Sequence, residues 1–120
     1  MRTFLREQRF CALATTSPGG DPHLVPVGFL YLDDTSFWLP TGAGAVRLAD
    51  LRKRPRAALM VGQGVGAQHQ LVLVRGPVRI HPGQDLRGVV AKAAGEKLGD
   101  TDWASSWLEL RPTSVLAYSG

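Results

Sequence analysis

The chain has 120 residues, of which 44% are hydrophobic and 20% charged, so it is expected to fold as one domain, residues 1–120. The longest apolar runs are the length of strands, and no apolar segment follows the basic N-terminus. Neither a membrane span nor a secretory leader is therefore expected, which leaves the cytoplasm as the default location. The lone Cys11 has no partner for an internal disulfide and is expected to be a buried small hydrophobe.

Positive charge is concentrated in one short segment. The chain carries 14 Lys and Arg against 10 Asp and Glu, a formal net charge of +4, and five of the basic residues fall between positions 47 and 56. Such a local cluster favours a small anionic ligand, whereas a nucleic-acid duplex would need a broad basic face. Because no aromatic residue alternates with these charges, nucleic-acid binding is not expected.

Hydrophobic alternation and turn signals predict a chain made mostly of short strands. The predicted elements are a helix at 3–8, strands at 10–15, 23–32 and 36–39, a short basic helix after the loop at 41–47, strands at 56–61 and 70–80, a helix at 85–98, and strands at 106–110 and 115–118. Pro26 indicates a sheet edge or a bulge, because it has no N–H to donate. A flexible loop is predicted at 62–67, and Gly76-Pro77 is predicted to interrupt the long strand.

The connections between these strands decide the fold class. Most strands are joined by tight turns, so they are antiparallel, which excludes a doubly wound nucleotide-binding fold. We therefore predict a mainly β protein with marginal helices, built as a small antiparallel barrel of about six strands. The interior of so small a barrel is filled by side chains, so a large ligand must bind outside it or between two copies. A homodimer is expected for this reason.

The loop at 41–47 is the strongest candidate for a binding element. Gly42 and Gly44 allow a ligand to approach the backbone, and a helix begins where the loop ends, so its first N–H groups and Arg47 can face an anion. The glycine pair lacks the third glycine and the βαβ context of a dinucleotide fingerprint. The other basic residues of the helix fit a solvated face equally well.

Histidines and tryptophans supply the remaining candidates. His23, His69 and His81 lack the spacing of metal ligands, so no metal site is predicted. Each of the three could be structural, while His23 and His69 could also lie near a ligand. Trp103 and Trp107 are four residues apart and either pack together in the core or interface, or line the cleft. No nucleophile–base pair is evident, so catalytic residues stay unassigned.

Six segments, in chain order, carry a family resemblance. They are A-L-A-T-T at 12–16, G-D-P-H at 20–23, L-V-P-V-G-F at 24–29, T-G-A-G-A-V-R at 41–47 with D-L-R-K-R-P at 50–55, V-L-V-R-G-P-V at 72–78, and R-P-T-S-V at 111–115. With this set, the chain resembles the pyridoxamine 5'-phosphate oxidase-like split barrels. That family includes members that depend on FMN and members that depend on the deazaflavin coenzyme F420.

The resemblance implies a homodimeric six-stranded split barrel with the cofactor in a cleft between protomers. It implies that the ring of the cofactor lies against the second strand, mainly through main-chain contacts with His23, Val25, Pro26 and Val27. It also implies that the phosphate is bound by the loop and the start of the helix, through Thr41, Gly42, Gly44 and Arg47.

Three residues depart from the pattern that the resemblance implies. Ala45 stands where a phosphate-binding Ser is common, Val46 where Arg or Lys is common, and Asp50 where Asn is usual. Each lost donor is expected to cost on the order of 1 kcal/mol, and Asp50 adds a negative charge one turn from Arg47. The loop is therefore expected to be a weakened anion site.

The function implied by the resemblance is that of an oxidoreductase. Reduced F420 would supply hydride to a small organic substrate, and FMN is the alternative cofactor. The Arg and Ala content suggests a GC-rich genome, which favours F420. Because the loop is weakened, an alternative of another class stays open: a non-catalytic split-barrel protein that binds flavin, haem or another small ligand.

Overall fold

An antiparallel sheet makes up most of the structure. The structure is a computed structural model that describes residues 2–65, 68–83 and 88–119. Within these ranges the strands are Phe10–Thr16 (β1), Pro22–Gly28 (β2), Leu30–Leu32 (β3), Ser36–Thr41 (β4), Arg56–Val65 (β5), Gln68–Pro82 (β6), Ser106–Leu110 (β7) and Ser114–Ser119 (β8). The helices are Arg2–Glu7 (α1), Val46–Lys53 (α2) and Gly88–Leu98 (α3). Among the described helices, none has the length and apolar character needed to cross a membrane.

Strand β6 holds the two halves of the barrel together. The hydrogen-bonded order is β2-β1-β5-β6-β7-β4-β3, and β8 also pairs with β6. The first part of β6 pairs with β5 and β8, whereas its last residues, from Val78 to Pro82, pair with β7. The two ends of the sheet approach each other, with the rings of Phe29 and Phe37 6.0 Å apart. The predicted mainly β, antiparallel split barrel is confirmed.

The strand boundaries differ from the predicted ones in three places. The strand predicted at 23–32 is divided at Phe29, whose N–H donates to the carbonyl of Arg9 instead of continuing a ladder (3.1 Å). The loop predicted at 62–67 is a strand as far as Val65, and residues 66–67 lie outside the described ranges. Gly76-Pro77 does not interrupt β6, because Gly76 pairs with Ala57 across the ladder. The described residues hold eight strands, one more than the seven predicted segments, because the segment at 23–32 is divided.

The barrel interior follows the two-residue period of the strands. In β1, Cys11, Leu13 and Thr15 point inward and are buried, while the alanines between them face outward. Burial raises the pKa of the Cys11 thiol to about 12, although the charge of Lys97 acts in the opposite direction. The expectation that Cys11 is a buried small hydrophobe is confirmed.

The two outer faces of the barrel are covered differently. Helix α3 packs its Ala94 against Leu30 and Trp107, and so covers the outer side of the β3-β4-β7 half. Within the described part of the chain, no helix covers the outer side of the other half. Apolar side chains remain exposed there, including Met60, Leu73 and Leu116.

We expect Gly76→Ala to destabilise the protein and Gly95→Ala to stabilise it. A methyl group on Gly76 would collide with the main-chain carbonyl of Arg111, whose N–H is bonded to the carbonyl of Pro77, at a cost of about 1–3 kcal/mol. Gly95 lies in α3, where an added methyl meets nothing within 4 Å, so alanine should gain about 0.5–1 kcal/mol. Urea unfolding of both variants measures the difference, and equal stabilities would contradict this account.

Candidate functional site

The loop between β4 and α2 presents unsatisfied main-chain donors. Gly44 adopts a φ of +76°, a conformation that glycine takes without strain. Ala45 occupies the N-cap position of α2, and no side chain caps the helix. The N–H of Leu48 donates to the carbonyl of Ala45 (3.0 Å), whereas the N–H groups at the very start of an uncapped helix have no intrahelical acceptor and carry a partial positive charge. This loop therefore has the form of an anion site made of backbone.

Two buried polar atoms in the same segment also have no partner. Among the described residues, Nε of Arg47 and Oγ1 of Thr41 are buried without a hydrogen bond, and Thr41 is 0% exposed. Burial lowers the pKa of Arg47 from its ordinary value, and no described carboxylate forms an ion pair with it. Buried donors are rarely left unpaired in folded proteins, so their coincidence here indicates a place for a ligand oxygen.

The second predicted contact surface is the edge of the sheet formed by β2. This strand pairs with β1 on one side only, so its other edge presents free main-chain groups. Val27 is 5% exposed and belongs to the core, and Val25 packs against it, whereas Pro26 is exposed. Val25 and Val27 can therefore meet a ligand through their main chain, as the sequence predicts, but hardly through their side chains.

A buried carboxylate connects α2 to both of the first two strands. Asp50, which is 2% exposed, accepts a hydrogen bond from the hydroxyl of Thr15 (2.7 Å) and another from Nδ1 of His23 (2.6 Å). Burial alone would raise the pKa of Asp50, but the two hydrogen bonds and the charge of His23 outweigh it and lower the pKa. Thr15 and His23 face each other directly in the β1–β2 register. The three side chains thus form one connected group.

The partners of the Asp50 carboxylate are not the ones that the sequence suggests. The sequence predicts that Asp50 weakens the field of Arg47, whereas the structure pairs its carboxylate with His23 and Thr15. The same helix is fixed at its other end by Arg54, which donates to the carbonyls of Ser17 and Pro18, both at 3.1 Å. Arg54 therefore holds the β1–β2 turn against α2.

Trp103 adds an aromatic surface beside the loop. Its indole is 56% exposed, its Nε1 donates to the carbonyl of Asp100 (3.1 Å), and a Cβ at Gly42 would lie 4.0 Å from its ring. Trp107 is 2% exposed and buried under α3. The two tryptophans therefore lie in different environments. Their four-residue spacing does not predict this difference, because the difference depends on where the chain lies after α3.

The sequence of residues 1–118 matches the pyridoxamine 5'-phosphate oxidase family. The chain belongs to this family. No curated protein matches the sequence. Among solved structures, the chain is similar to a conserved hypothetical protein of Mycobacterium tuberculosis, with 22% identity, a TM-score of 0.79, and 98% of this chain and 81% of the other covered.

Two further similar structures bear names that mention a ligand. A FAD-binding protein of Mesorhizobium loti has 22% identity and a TM-score of 0.78, with 99% of this chain and 91% of the other covered. The haem storage protein HutZ of Vibrio cholerae has 15% identity and a TM-score of 0.80, with 98% and 90% covered. At such identities, the similarity establishes a shared fold.

Neither of the other two histidines places a described side chain at the loop between β4 and α2. Nε2 of His81 bonds to Glu109 (2.9 Å), which also accepts from Arg111 (2.8 Å), and the His81 ring stacks on Trp38 at 5.0 Å. The side chain of His69 lies outside the described residues. Among the described side chains, no three of His, Cys, Asp and Glu come together as metal ligands.

We expect the protein to lose stability as the pH falls below about 4. Burial raises the pKa of Glu109, but hydrogen bonds from His81 and Arg111 outweigh it and lower the pKa, as happens for Asp50. Both carboxyls are thus more acidic when folded, so their stabilisation is present above their ordinary pKa values of about 3.9–4.3 and is lost below them. Urea unfolding between about pH 6 and pH 3 measures the loss in the free energy of unfolding. This loss should be smaller in Asp50→Asn than in the wild type. An equal loss in the two proteins would show that Asp50 contributes nothing to the pH dependence.

Proposed function

We propose that this chain is a homodimeric oxidoreductase that binds a flavin-type cofactor, F420 or FMN, with its phosphate at the start of α2. One observation carries the proposal: the half-buried Arg47, whose buried Nε has no partner, stands beside an uncapped helix N-terminus in a chain that matches the family. A buried donor without a partner is costly unless a ligand supplies one. The structurally similar FAD-binding protein supports a flavin as that ligand.

The charge of the site favours a singly charged phosphate. Arg47 is the cation of the loop, since Ala45 and Val46 stand where the resemblance implies a hydroxyl and a second cation. A phosphodiester, such as the one in F420, carries one negative charge, whereas the terminal phosphate of FMN carries nearly two. One guanidinium and the helix N-terminus match the diester more closely. F420 is therefore the preferred cofactor of the proposal, and FMN the second.

The chain's own groups would hold the cofactor and shield it. Thr41 Oγ1, Arg47 and the first N–H groups of α2 would bind the phosphate, and the free edge of β2 would meet the ring. Trp103, exposed beside Gly42, offers an apolar face over the loop. When bound and reduced, such a cofactor supplies hydride, so the protein's part is to orient it and to exclude water.

An apolar row on the uncovered outer face supports the homodimer. The ladder pairings place Pro26, Ala12, Met60, Leu73 and Leu116 in one line across five strands. Three of them, in β5, β6 and β8, are 40%, 37% and 48% exposed. A second copy is the occupant that matches this face, because a two-fold axis sets an uncharged row against its own equivalent.

A cleft beside this row suits a small organic substrate. It has a volume of about 480 Å³ and is lined by residues that include Pro22, Arg56, Arg75 and Ser114. A partner covering the apolar row would close its open side, and the volume is in the range of ligand pockets. We therefore propose that the substrate enters here, between protomers.

A second candidate function is non-catalytic binding of flavin or haem. The absence of a hydroxyl at Ala45 and of a second cation at Val46 favours it, because weaker phosphate binding suits a protein that releases its ligand. The similar fold of the haem storage protein HutZ supports haem as one such ligand. A Soret band in protein mixed with haem, together with no binding of F420 or FMN, would favour this function.

We expect Arg47→Ala to lower the affinity for the cofactor about 10- to 100-fold, the value of a hydrogen bond to a charged group. Titration with F420, and separately with FMN, is followed by quenching of the tryptophan fluorescence. Arg52→Ala is the matched control, since Arg52 lies on the same helix, has the same charge and is exposed. Equal losses in the two variants would show that the net charge of the helix, and not Arg47, determines binding. If the wild-type protein binds neither cofactor, the oxidoreductase function is wrong.

We expect Leu73→Lys to convert the dimer into a monomer. Burying an ammonium group in an apolar, symmetric interface costs several kcal/mol, so the dimer Kd should rise by at least about a hundredfold. Light scattering after size exclusion measures the mass over a dilution series. Thr35→Lys adds the same charge in the exposed turn between β3 and β4 and should leave the mass unchanged. A monomeric wild-type protein would contradict the proposed dimer.

A further inference from the structure

We propose that His23 is a specificity-determining residue that accepts a hydrogen bond from the ligand at Nε2, and that Asp50 is the residue that positions it. This inference rests on the proposed function, because the ligand is the phosphate-bearing cofactor at Arg47. In this inference, His23 recognises hydroxyl or N–H groups of the ligand next to the phosphate. Arg47 by itself recognises only the charge of the phosphate.

The contact with Asp50 fixes which nitrogen of His23 carries the proton. A carboxylate is only an acceptor, so the 2.6 Å contact requires that Nδ1 be the donor. When the ring is neutral, its hydrogen is therefore on Nδ1 and Nε2 presents a lone pair, and the proposal concerns this form, because both nitrogens of a protonated ring are donors. Among the described residues, nothing bonds to Nε2.

The carboxylate itself has little freedom to turn. Asp50 is 2% exposed, and its Oδ2 also accepts the hydroxyl of Thr15 at 2.7 Å. The three side chains come from α2, β1 and β2, so the position of the ring is determined by three packed elements. A buried carboxylate with two donors is costly to disturb, which keeps the ring in place.

Through its contact with Asp50, the ring of His23 adjoins the face of α2 that also carries Arg47. The side chain of His23 is 39% exposed even though Nδ1 is occupied by a buried group. Arg47 and Asp50 are three residues apart on α2 and therefore share one face of the helix. A ligand whose phosphate is bound by Arg47 thus brings its neighbouring groups toward His23. The ribityl chains of FMN and F420 carry hydroxyl donors there.

His81 provides a contrast within the same chain. Its Nε2 bonds to the buried Glu109 at 2.9 Å, its ring is stacked on Trp38, and its side chain is 29% exposed. A second donor, Arg111, completes the partners of Glu109. Both histidines meet a buried carboxylate, but only His23 does so through Nδ1 and keeps Nε2 open.

Two amide variants separate the two sides of the ring. The amide nitrogen of Asn can occupy the place of Nδ1, so His23→Asn retains a donor to Asp50 and removes the Nε2 acceptor. The longer Gln reaches the place of Nε2, so His23→Gln can present an acceptor to the ligand but leaves Asp50 without its donor. We expect His23→Asn to keep the wild-type Tm and to bind F420 and FMN about tenfold more weakly, the value of one hydrogen bond. We expect His23→Gln to lower the Tm and to keep more of the affinity.

Inorganic phosphate is the control ligand, because it has no ribityl hydroxyl. Its competition with the cofactor should be weakened by Arg47→Ala and unaffected by His23→Asn. Cofactor affinity in His23→Asn equal to that of the wild type would overturn the inference, and so would a Tm as low as that of His23→Gln. If the wild type binds neither F420 nor FMN, the proposed function is refuted first, and the inference falls with it.

Nuclear magnetic resonance tests the geometry without a ligand. In protein with ¹⁵N-labelled histidine, the neutral ring of His23 should show its hydrogen on Nδ1, and Asp50→Ala should abolish that preference. The cofactor should then shift the Nε2 resonance of His23 and leave that of His81 in place. A neutral ring with its hydrogen on Nε2 would overturn the inference.

Discussion

The candidate site depends on the buried carboxylate of Asp50. Helix α2 has only eight residues, and Leu48 and Leu51 anchor it in the core, which fixes one side of it. Asp50 determines how it lies against β1 and β2, because a buried carboxylate must face its donors, Thr15 and His23. The start of α2, and with it Arg47, is thereby set at a fixed distance from the free edge of β2. In the proposed function, this contact is what brings the anion loop and the edge strand together as one site.

Asp50 and Glu109, the buried carboxylates of the described residues, each bond to a histidine but place it in a different environment. Glu109 has a histidine and an arginine as donors, and its histidine is stacked on Trp38, so the group is closed. Asp50 has a histidine and a threonine, and its histidine is left part-exposed. Both pairs lower the pKa of the acid and stabilise the folded state. What distinguishes them is which ring nitrogen meets the acid, Nε2 in His81 and Nδ1 in His23, a property of geometry that the residue types do not reveal.

Local patterns predict what is local in this chain. The alternation of β1 and the glycines of the loop before α2 are visible in the sequence, and the structure places both as predicted. Gly76-Pro77 resembles a strand break because turn signals describe only neighbours, whereas pairing with β5 on one side keeps β6 continuous there. Asp50 and His23 are 27 residues apart, and no periodicity connects them. Contacts of that range follow from the barrel closing, after every strand is in place.

The position of Asp50 and the residues at which the loop departs from the family's pattern can be explained together. Without a hydroxyl at Ala45 or a cation at Val46, the proposed phosphate site would depend on backbone N–H groups and on Arg47, which is half-buried and has an unpaired Nε. A free carboxylate one turn away would cancel the charge of Arg47. Because Asp50 is turned to His23 and Thr15, the carboxylate orients an imidazole and does not pair with Arg47. In the proposed site, one helix would thus separate recognition of charge, by Arg47, from recognition of hydrogen-bond donors, by way of Asp50 and His23.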